Sequence, residues 1–455
     1  MAVSSVVRRS ELEGALRLDA EYYRPEYLAT LDALRALKSV PLEVVAEAAR
    51  RRFRPKEGEP FSYVEISEVD TSTGTVNAVA VPGEEAPDRA QWLVRRGDVI
   101  VSTVRPIRNA VALITQAEDG FVCSSGFAVL RAVAVSPEFL YMYLKARPVA
   151  ELLDRKTTAT MYPAVSWQDV LSIPIFWPDR RVEEFVRGRV AEAQAQLKRS
   201  ESLHLEAERL VLEELGWGSL DLSQSRWYSV PLSRAQRVGR LDAEHFQPKY
   251  ERIFERIQRF PCLRLGDVTQ AIQNGKTPAA EDYSMEGVPI LKVGGLGSTG
   301  VIEECDAYVP PSWAQANTKG AVRQYDALVL CAAHHPSYIG KAGLLMRDLG
   351  PLARAVGELI ILRFNDRLRP EFVCVFLNLE HVRLAVQGLA RGNTAHLYPD
   401  DLSAVPVPLL PPEFQQRVAD MVTQSYEAKQ KAKALLQEAK GRVEALIETV
   451  EAGQG

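Results

Sequence analysis

A long internal duplication constrains this chain more than any other feature it has. Arg17-Leu18-Asp19-Ala20-Glu21-Tyr22-Tyr23-Arg24-Pro25-Glu26-Tyr27 returns, 223 positions later, as Arg240-Leu241-Asp242-Ala243-Glu244-His245-Phe246-Gln247-Pro248-Lys249-Tyr250. Leu42 and Leu265 keep that offset. Arg96-Gly97-Asp98-Val99-Ile100-Val101 resembles Gln324-Tyr325-Asp326-Ala327-Leu328-Val329, and Leu130-Arg131 matches Leu362-Arg363. Pro137-Glu138-Phe139-Leu140 matches Pro370-Glu371-Phe372-Val373, and Asp169-Val170 and Ile173-Pro174 match Asp401-Leu402 and Val405-Pro406. The order is kept and the offset drifts only from 223 to about 233, so chance is a poor account of the series. A period this long signals a duplicated domain and not a solenoid.

Each copy has the same layout. Tyr27, Leu28, Leu31, Leu34 and Leu37, and Tyr250, Ile253, Phe254 and Ile257, have helical spacing. Short β-type runs follow at Val99–Val101, Phe127–Leu130, Ile290–Val293, Leu328–Leu330 and Leu359–Leu362. Pro137 and Pro370 suit the first turn of a helix. Proline-rich exits come next, from Ile173 to Pro178 and from Val405 to Pro412. After each exit the sequence predicts a long helix. Val186, Val190, Ala193, Leu197, Ser200, His204, Ala207 and Val211 alternate steps of four and three, as do Phe414, Val418, Met421, Ser425, Ala428, Ala432, Leu435 and Ala439. This is a coiled-coil seam of small residues. Two separate surface helices are the plainer alternative; matched seams favour pairing. The expected organisation is a first domain at 1–178, a long helix at 179–215, a linker at 216–235, a second domain at 236–411 and a second long helix at 412–450. The fold class is α+β: two duplicated mixed α/β domains separated by two long helices that form an antiparallel coiled coil.

Composition excludes several classes. Hydrophobic residues at 46% and charged residues at 25% fit a globular chain and not a disordered one. No apolar run approaches the ~20 residues of a membrane span, and the charged first twenty residues lack a secretory stretch. A cytoplasmic protein is expected. Cys123, Cys262, Cys305, Cys331 and Cys374 are scattered, which argues against a disulfide framework or zinc site. The net charge of −4 argues mildly against nucleic-acid binding, but local distribution matters more than the total.

The duplicated segments starting at Arg17 and Arg240, the Gly97-Asp98-Val99-Ile100 strand, the exits at Ile173-Pro174 and Val405-Pro406, and Pro411-Pro412-Glu413-Phe414-Gln415-Gln416 resemble the specificity subunit of Type I restriction–modification systems. Asn274-Gly275-Lys276-Thr277-Pro278 also fits that family's pattern. The resemblance covers nearly the whole chain. It implies two target-recognition domains, held apart by antiparallel helices, that read the two halves of a split site in double-stranded DNA. It implies two adenine methyltransferase subunits as partners, joined by endonuclease/translocase subunits. It implies no active site, no cofactor, no metal and no membrane. The first copy departs from the pattern: Arg180-Arg181-Val182-Glu183-Glu184 stands where the glutamine pair is usual, and nothing obvious answers Gly275-Lys276-Thr277.

Arg, Lys, Asn and Gln side chains supply phosphate and base-edge hydrogen bonds. Candidate DNA contacts in the first copy are Arg51, Arg52 and Arg54, within a cluster that includes Arg50 and Lys56; Arg105, Arg108 and Asn109; and Lys156, Thr158, Thr160 and Tyr162. In the second copy they are Lys276 and Thr277; His334, His335, Ser337, Tyr338 and Lys341; and Arg391, Asn393, Thr394, His396 and Tyr398. Taken singly, each competes with an ordinary solvated side chain; as loop groups they are better founded. Candidate partner-docking residues are Tyr22, Tyr23, Phe185, His245, Phe246, Phe414, Gln415 and Gln416. For the aromatics the alternative is packing within the chain.

A free-standing DNA methyltransferase or nuclease with two recognition domains is the main alternative. Val309-Pro310-Pro311-Ser312-Trp313 lacks the polar residue that a methyltransferase motif needs before its prolines. Gly275-Lys276-Thr277 has Gln270 where a phosphate loop needs glycine. His334-His335 has no carboxylate at ligand spacing. A coiled-coil adaptor with no DNA role is the third reading.

Overall fold

Unbroken apolar runs such as Val99-Ile100-Val101 need a sheet covered on both faces. The computed structural model provides one for each copy. It describes residues 4–9, 12, 17–157, 163–217, 220, 222–223, 226–297, 299–302, 305, 307–333, 336–392 and 395–452. The chain divides into unit 1, Met1–Leu197 with Gln430–Gly455, and unit 2, Lys198–Lys429.

Unit 1 runs α1 (Pro25–Ala36), β1 (Val40–Pro41), β2 (Ala46–Ala48), β3 (Phe61–Val64), β4 (Val79–Val81), β5 (Ala90–Leu93), β6 (Asp98–Ser102), β7 (Val111–Leu113), β8 (Val122–Ser124), β9 (Phe127–Ala132), α2 (Pro137–Lys145), α3 (Arg147–Arg155), α4 (Trp167–Leu171) and β10 (Pro174–Ile175). The long α5 (Arg180–Glu214) begins in it. Its main sheet has the order β2-β9-β6-β7, and a second has β4-β3-β8-β5. Val99, Val101, Val111 and Leu130 face the helices, while Ile100, Ala112 and Val129 face the second sheet. The alternation is that of a strand buried on both sides.

Unit 2 contains α6 (Leu232–Val238), α7 (Pro248–Ile257), β11 (Cys262–Arg264), β12 (Thr269–Asn274), β13 (Val288–Leu291), β14 (Tyr308–Val309), α8 (Pro311–Ala316), β15 (Ala327–Leu330), β16 (Ala342–Leu344), β17 (Arg354–Ala355), β18 (Leu359–Phe364), α9 (Pro370–Asn378), α10 (Glu380–Gln387), α11 (Pro399–Ser403), β19 (Pro406–Pro408) and the start of α12 (Pro412–Ala452). Its sheets follow β12-β18-β15-β16 and β14-β13-β17. The order matches unit 1 in every strand but β5, including the parallel pairs β3·β8 and β13·β17. Unit 2 has α8 where unit 1 has β5. The expected strand at Ile290–Val293 lies two residues earlier, and Val293 opens a single helical turn.

The seams of both long helices are buried, apart from the half-buried Leu197 and Met421. In unit 1, Val186, Val190 and Ala193 share a core with Ala432, Leu435 and Ala439. Arg189 pairs with Glu438 at 3.0 Å and Glu192 with Lys431 at 2.9 Å. In unit 2, Ala207 and Val211 share a core with Phe414, Val418 and Val422, and the buried Ser200 and Ser425 hydroxyls lie 3.0 Å apart. Partner numbers fall along α12 as they rise along α5, so the helices run antiparallel where they meet. Exposed ion pairs contribute little; the small buried residues hold the helices together by close packing. Among the described residues no helix is long and apolar enough to cross a membrane.

Candidate nucleic-acid interface

Strands that run the same way in a sheet end on the same side. β2 and β6 are both antiparallel to β9, and β12 and β15 are both antiparallel to β18. The loops that leave them therefore emerge together. The segment before α4 or α11 is bonded into the same place. In unit 1, Val104 bridges Ala164, and the Arg105 N–H donates to the Pro163 carbonyl at 2.8 Å. In unit 2, Ala332 bridges His396, and the Leu397 N–H donates to the Cys331 carbonyl at 2.8 Å. Candidate groups some 60 residues apart in sequence become neighbours in both units.

Register answers what stands in unit 1 for Gly275-Lys276. Ala48 faces Leu130, and Ile272 faces the corresponding Leu362. Arg50, Arg51 and Arg52 therefore occupy the places of Asn274, Gly275 and Lys276. In unit 2 that loop lies tight on the sheet. The Thr277 hydroxyl donates to Glu358 at 2.8 Å and accepts from the Gly357 N–H at 2.9 Å. Lys276 bonds Asn317. A Cβ on Gly275 would lie 2.1 Å from the Ala355 carbonyl oxygen, which is why only glycine fits.

The unit 1 loops are arginine-rich. Arg50, Arg52, Arg54 and Arg108 are exposed. The Arg50 guanidinium lies 5.2 Å from the Trp167 ring and 5.9 Å from that of Trp92, a pairing with no signature in the sequence. Arg51 is drawn inward to Asp98, and Lys56 pairs with Glu59 at 3.2 Å. Burial pushes the Asp98 carboxyl up, against the pull of the Arg95 N–H and Arg51. Arg105 and Asn109 bracket a single turn with φ of +49° and +58°, a left-handed conformation that asparagine adopts readily and arginine only under strain. Asn109 donates to the Lys145 carbonyl at 2.8 Å, so it ties the loop to α2. Lys156 is half-buried at the end of α3. Thr158, Thr160 and Tyr162 lie outside the described residues, as do His334, His335, Asn393 and Thr394.

The unit 2 loops are more aromatic. Tyr338 and Tyr398 are 57% and 46% exposed, and Ser337 is exposed beside them. His396 and Tyr398 rings lie 4.7 Å apart, with Arg391 5.6 Å from the Tyr398 ring. Arg391 also pairs with Asp401, and Lys341 donates to the Leu296 carbonyl at 2.7 Å.

The docking candidates divide. Phe185 is 38% exposed, with Arg189 over its ring. Tyr22, Tyr23, Phe246, Phe414 and Gln415 are buried, and His245 is half-buried. Phe414 meets Phe372 edge-on, and the Arg155 guanidinium lies 3.8 Å from the Tyr22 ring. Gln415 accepts the Arg369 N–H at 2.9 Å, at the start of α9, and Gln416 bonds the Arg369 side chain. At the matching place, Glu183 accepts the Ser136 N–H at 2.5 Å, at the start of α2. The glutamine position and its acidic replacement thus satisfy the same backbone donor.

The structure also explains the repeated Arg-Leu-Asp-Ala-Glu segment, which sequence reasoning used only as a landmark. Arg17 bonds Asp19 at 2.6 Å and donates to the Thr157 carbonyl at 3.3 Å. Arg240 bonds Asp242 at 2.8 Å and donates to the Leu389 and Ala390 carbonyls at 2.8 and 2.9 Å. The arginine bond holds the Asp242 carboxyl down to about 2. Burial pushes the neighbouring His245 below its ordinary value, although its ring bonds the Gly388 carbonyl. Among the described residues no three His, Cys, Asp or Glu side chains gather as metal ligands.

No family model matches the chain. It is 19% identical over 359 residues to the Type I restriction enzyme HindI specificity subunit of Haemophilus influenzae, covering 69% of this chain and 76% of that one. Among solved structures, the HsdS subunit from Thermoanaerobacter tengcongensis is 23% identical over 92% of this chain and 97% of its own, with a TM-score of 0.31. The Type I restriction–modification S subunit from M. genitalium is 12% identical over 90% and 95%, with a TM-score of 0.39. At these TM-scores the solved structures add no weight to the fold.

Proposed function

We propose that this chain is the non-catalytic DNA-recognition subunit of a Type I restriction–modification complex. Its two units are duplicated target-recognition domains, and each reads one half of a split duplex site through its loop cluster. The two long helices form an antiparallel coiled coil, run from one unit into the other, set the spacer and carry docking sites for two methyltransferase subunits, with endonuclease/translocase subunits joining that assembly. One observation carries the reading: the same three loops converge on corresponding strand ends in both units, while their side chains differ. Loops on a rigid scaffold are where recognition residues belong, and different loops suit an asymmetric target. The curated specificity-subunit relative supports the same reading. The test is to exchange residues 51–178 for those of a relative and sequence the host methylome. One half of the methylated motif should change and the other stay; change in both halves, or in neither, would sink the reading.

A further inference from the structure

The same arginine bond occurs in both units, between places 140 to 150 residues apart in sequence. Arg17 reaches the carbonyl of Thr157, and Arg240 reaches that of Ala390. Thr157 and Ala390 correspond: each lies just past the helix, α3 or α10, that leads into the third loop of the cluster. These carbonyls lie in the chain just past the helix caps Lys156 and Gly388, where a cation also meets the negative end of the helix dipole. The carboxylate two residues on, Asp19 or Asp242, takes the Nε–H and so aims the guanidinium. In unit 2 the grip is fuller. Arg240 holds two successive carbonyls and its side chain is 8% exposed, against 29% for Arg17.

We propose that Arg17 and Arg240 are positioning residues for target recognition: each fixes where the third loop of its unit starts, and so the placement of that loop's side chains against DNA. Neither touches DNA in this scheme. The inference rests on the loops reading half-sites, as proposed above. A loop whose origin slips by about an ångström loses the aligned contacts on which base discrimination depends. Each arginine should therefore affect one half of the target and leave the other.

The experiment places Arg17→Ala, Arg240→Ala and Arg240→Lys in the full chain in its native host. Methylation is read across the genome, and thermal melting of each purified variant is followed alongside. Arg240→Ala should lower base discrimination in one half-site about tenfold, and Arg17→Ala should do so, less strongly, in the other. Arg240→Lys keeps the charge without the fork and should fall between wild type and Arg240→Ala. Should Arg240→Ala not accumulate, Asp242→Asn, which removes the aiming charge but keeps the shape, and Arg240→Lys carry the test. Methylation lowered evenly at all sites with base preference unchanged, or no change at all, overturns the proposal. If the exchange of residues 51–178 succeeds while these variants fail to separate the half-sites, the arginine role falls alone and the functional reading stands.

Discussion

The loop ends of the two units differ in chemistry while the bonds beneath them repeat. Unit 1 presents Arg50, Arg52, Arg54 and Arg108, with tryptophan beside Arg50; unit 2 presents Tyr338 and Tyr398, with Arg391 and a tilted His396 ring against Tyr398. Underneath, Glu183 and Gln415 cap corresponding helices, and Arg17 and Arg240 hold corresponding carbonyls. The buried aspartates show where the two patterns cross. Asp326 takes Arg363 from the neighbouring strand, whereas Asp98 takes Arg51 from the loop, leaving Arg131 to pair with Glu47. A loop residue in unit 1 thus serves the scaffold. Backbone donors and buried charges must be satisfied whatever residue does it; loop side chains face no such demand.

The largest effect that would break this comparison is loss of a buried carboxylate. Asp326→Ala leaves Arg363 buried without its pair and should destabilise unit 2 by about 3–5 kcal/mol in denaturant unfolding. Asp98→Ala should cost less, since Arg51 is 32% exposed and can rehydrate while Arg363 is only 17% exposed. Equal losses would count against the difference drawn between the two aspartates. Next comes salt dependence. Replacing Arg52, Arg54 and Arg108 with alanine should lower the slope of log affinity against log salt by roughly 0.9 for each phosphate left unneutralised. Tyr338→Ala with Tyr398→Ala should weaken binding and leave that slope unchanged, so a fall in slope for the tyrosine variant would erase the contrast. The smallest effect is acid sensitivity. The His245 pKa lies below its ordinary 6.5 because of burial, so its stability contribution is complete above that value and lost as pH falls beneath it. Tyr22 stands there in unit 1. Hydrogen exchange around residues 388–392 should rise between pH 7 and 5, after correction for intrinsic rates, with no matching rise at 155–157.

The parts legible in the sequence were those governed by local periodicity. Val186, Val190, Ala193 and Ala439 are fully buried as their spacing required, and Pro137 and Pro370 open helices. The five apolar runs lie in or beside strands, but β2, β4 and β7 were missed because three residues carry too little pattern, and the longer β3, β5 and β12 were missed because polar residues interrupt them. The loop groups were legible as polar stretches after apolar runs. Their convergence was not, because it depends on strand pairing across long separations. The roles of Arg17 and Arg240 were hidden for a related reason: their acceptors are backbone carbonyls, which leave no trace in residue type. Gln415 and Gln416 read as surface groups in the sequence, yet Gln415 accepts the backbone N–H at the start of α9, while Gln416 bonds the side chains of Arg369 and Asp420.

Unit 1 is closed by residues from the far end of the chain. Val182, Val186 and Val190 are made early, but their cover, Ala432 to Ile447, arrives only after the roughly 230 residues of unit 2. At about 5–20 residues per second, the ribosome leaves that apolar seam bare for roughly 10–50 seconds. Unit 2 is one continuous stretch of chain, but it too waits for α12, whose Phe414, Val418 and Val422 close its core just before the cover of unit 1 is made. Synthesis order thus makes the first-made unit the last to be finished, and a nascent chain stalled before residue 430 would display a sticky helix for any neighbouring polypeptide to capture.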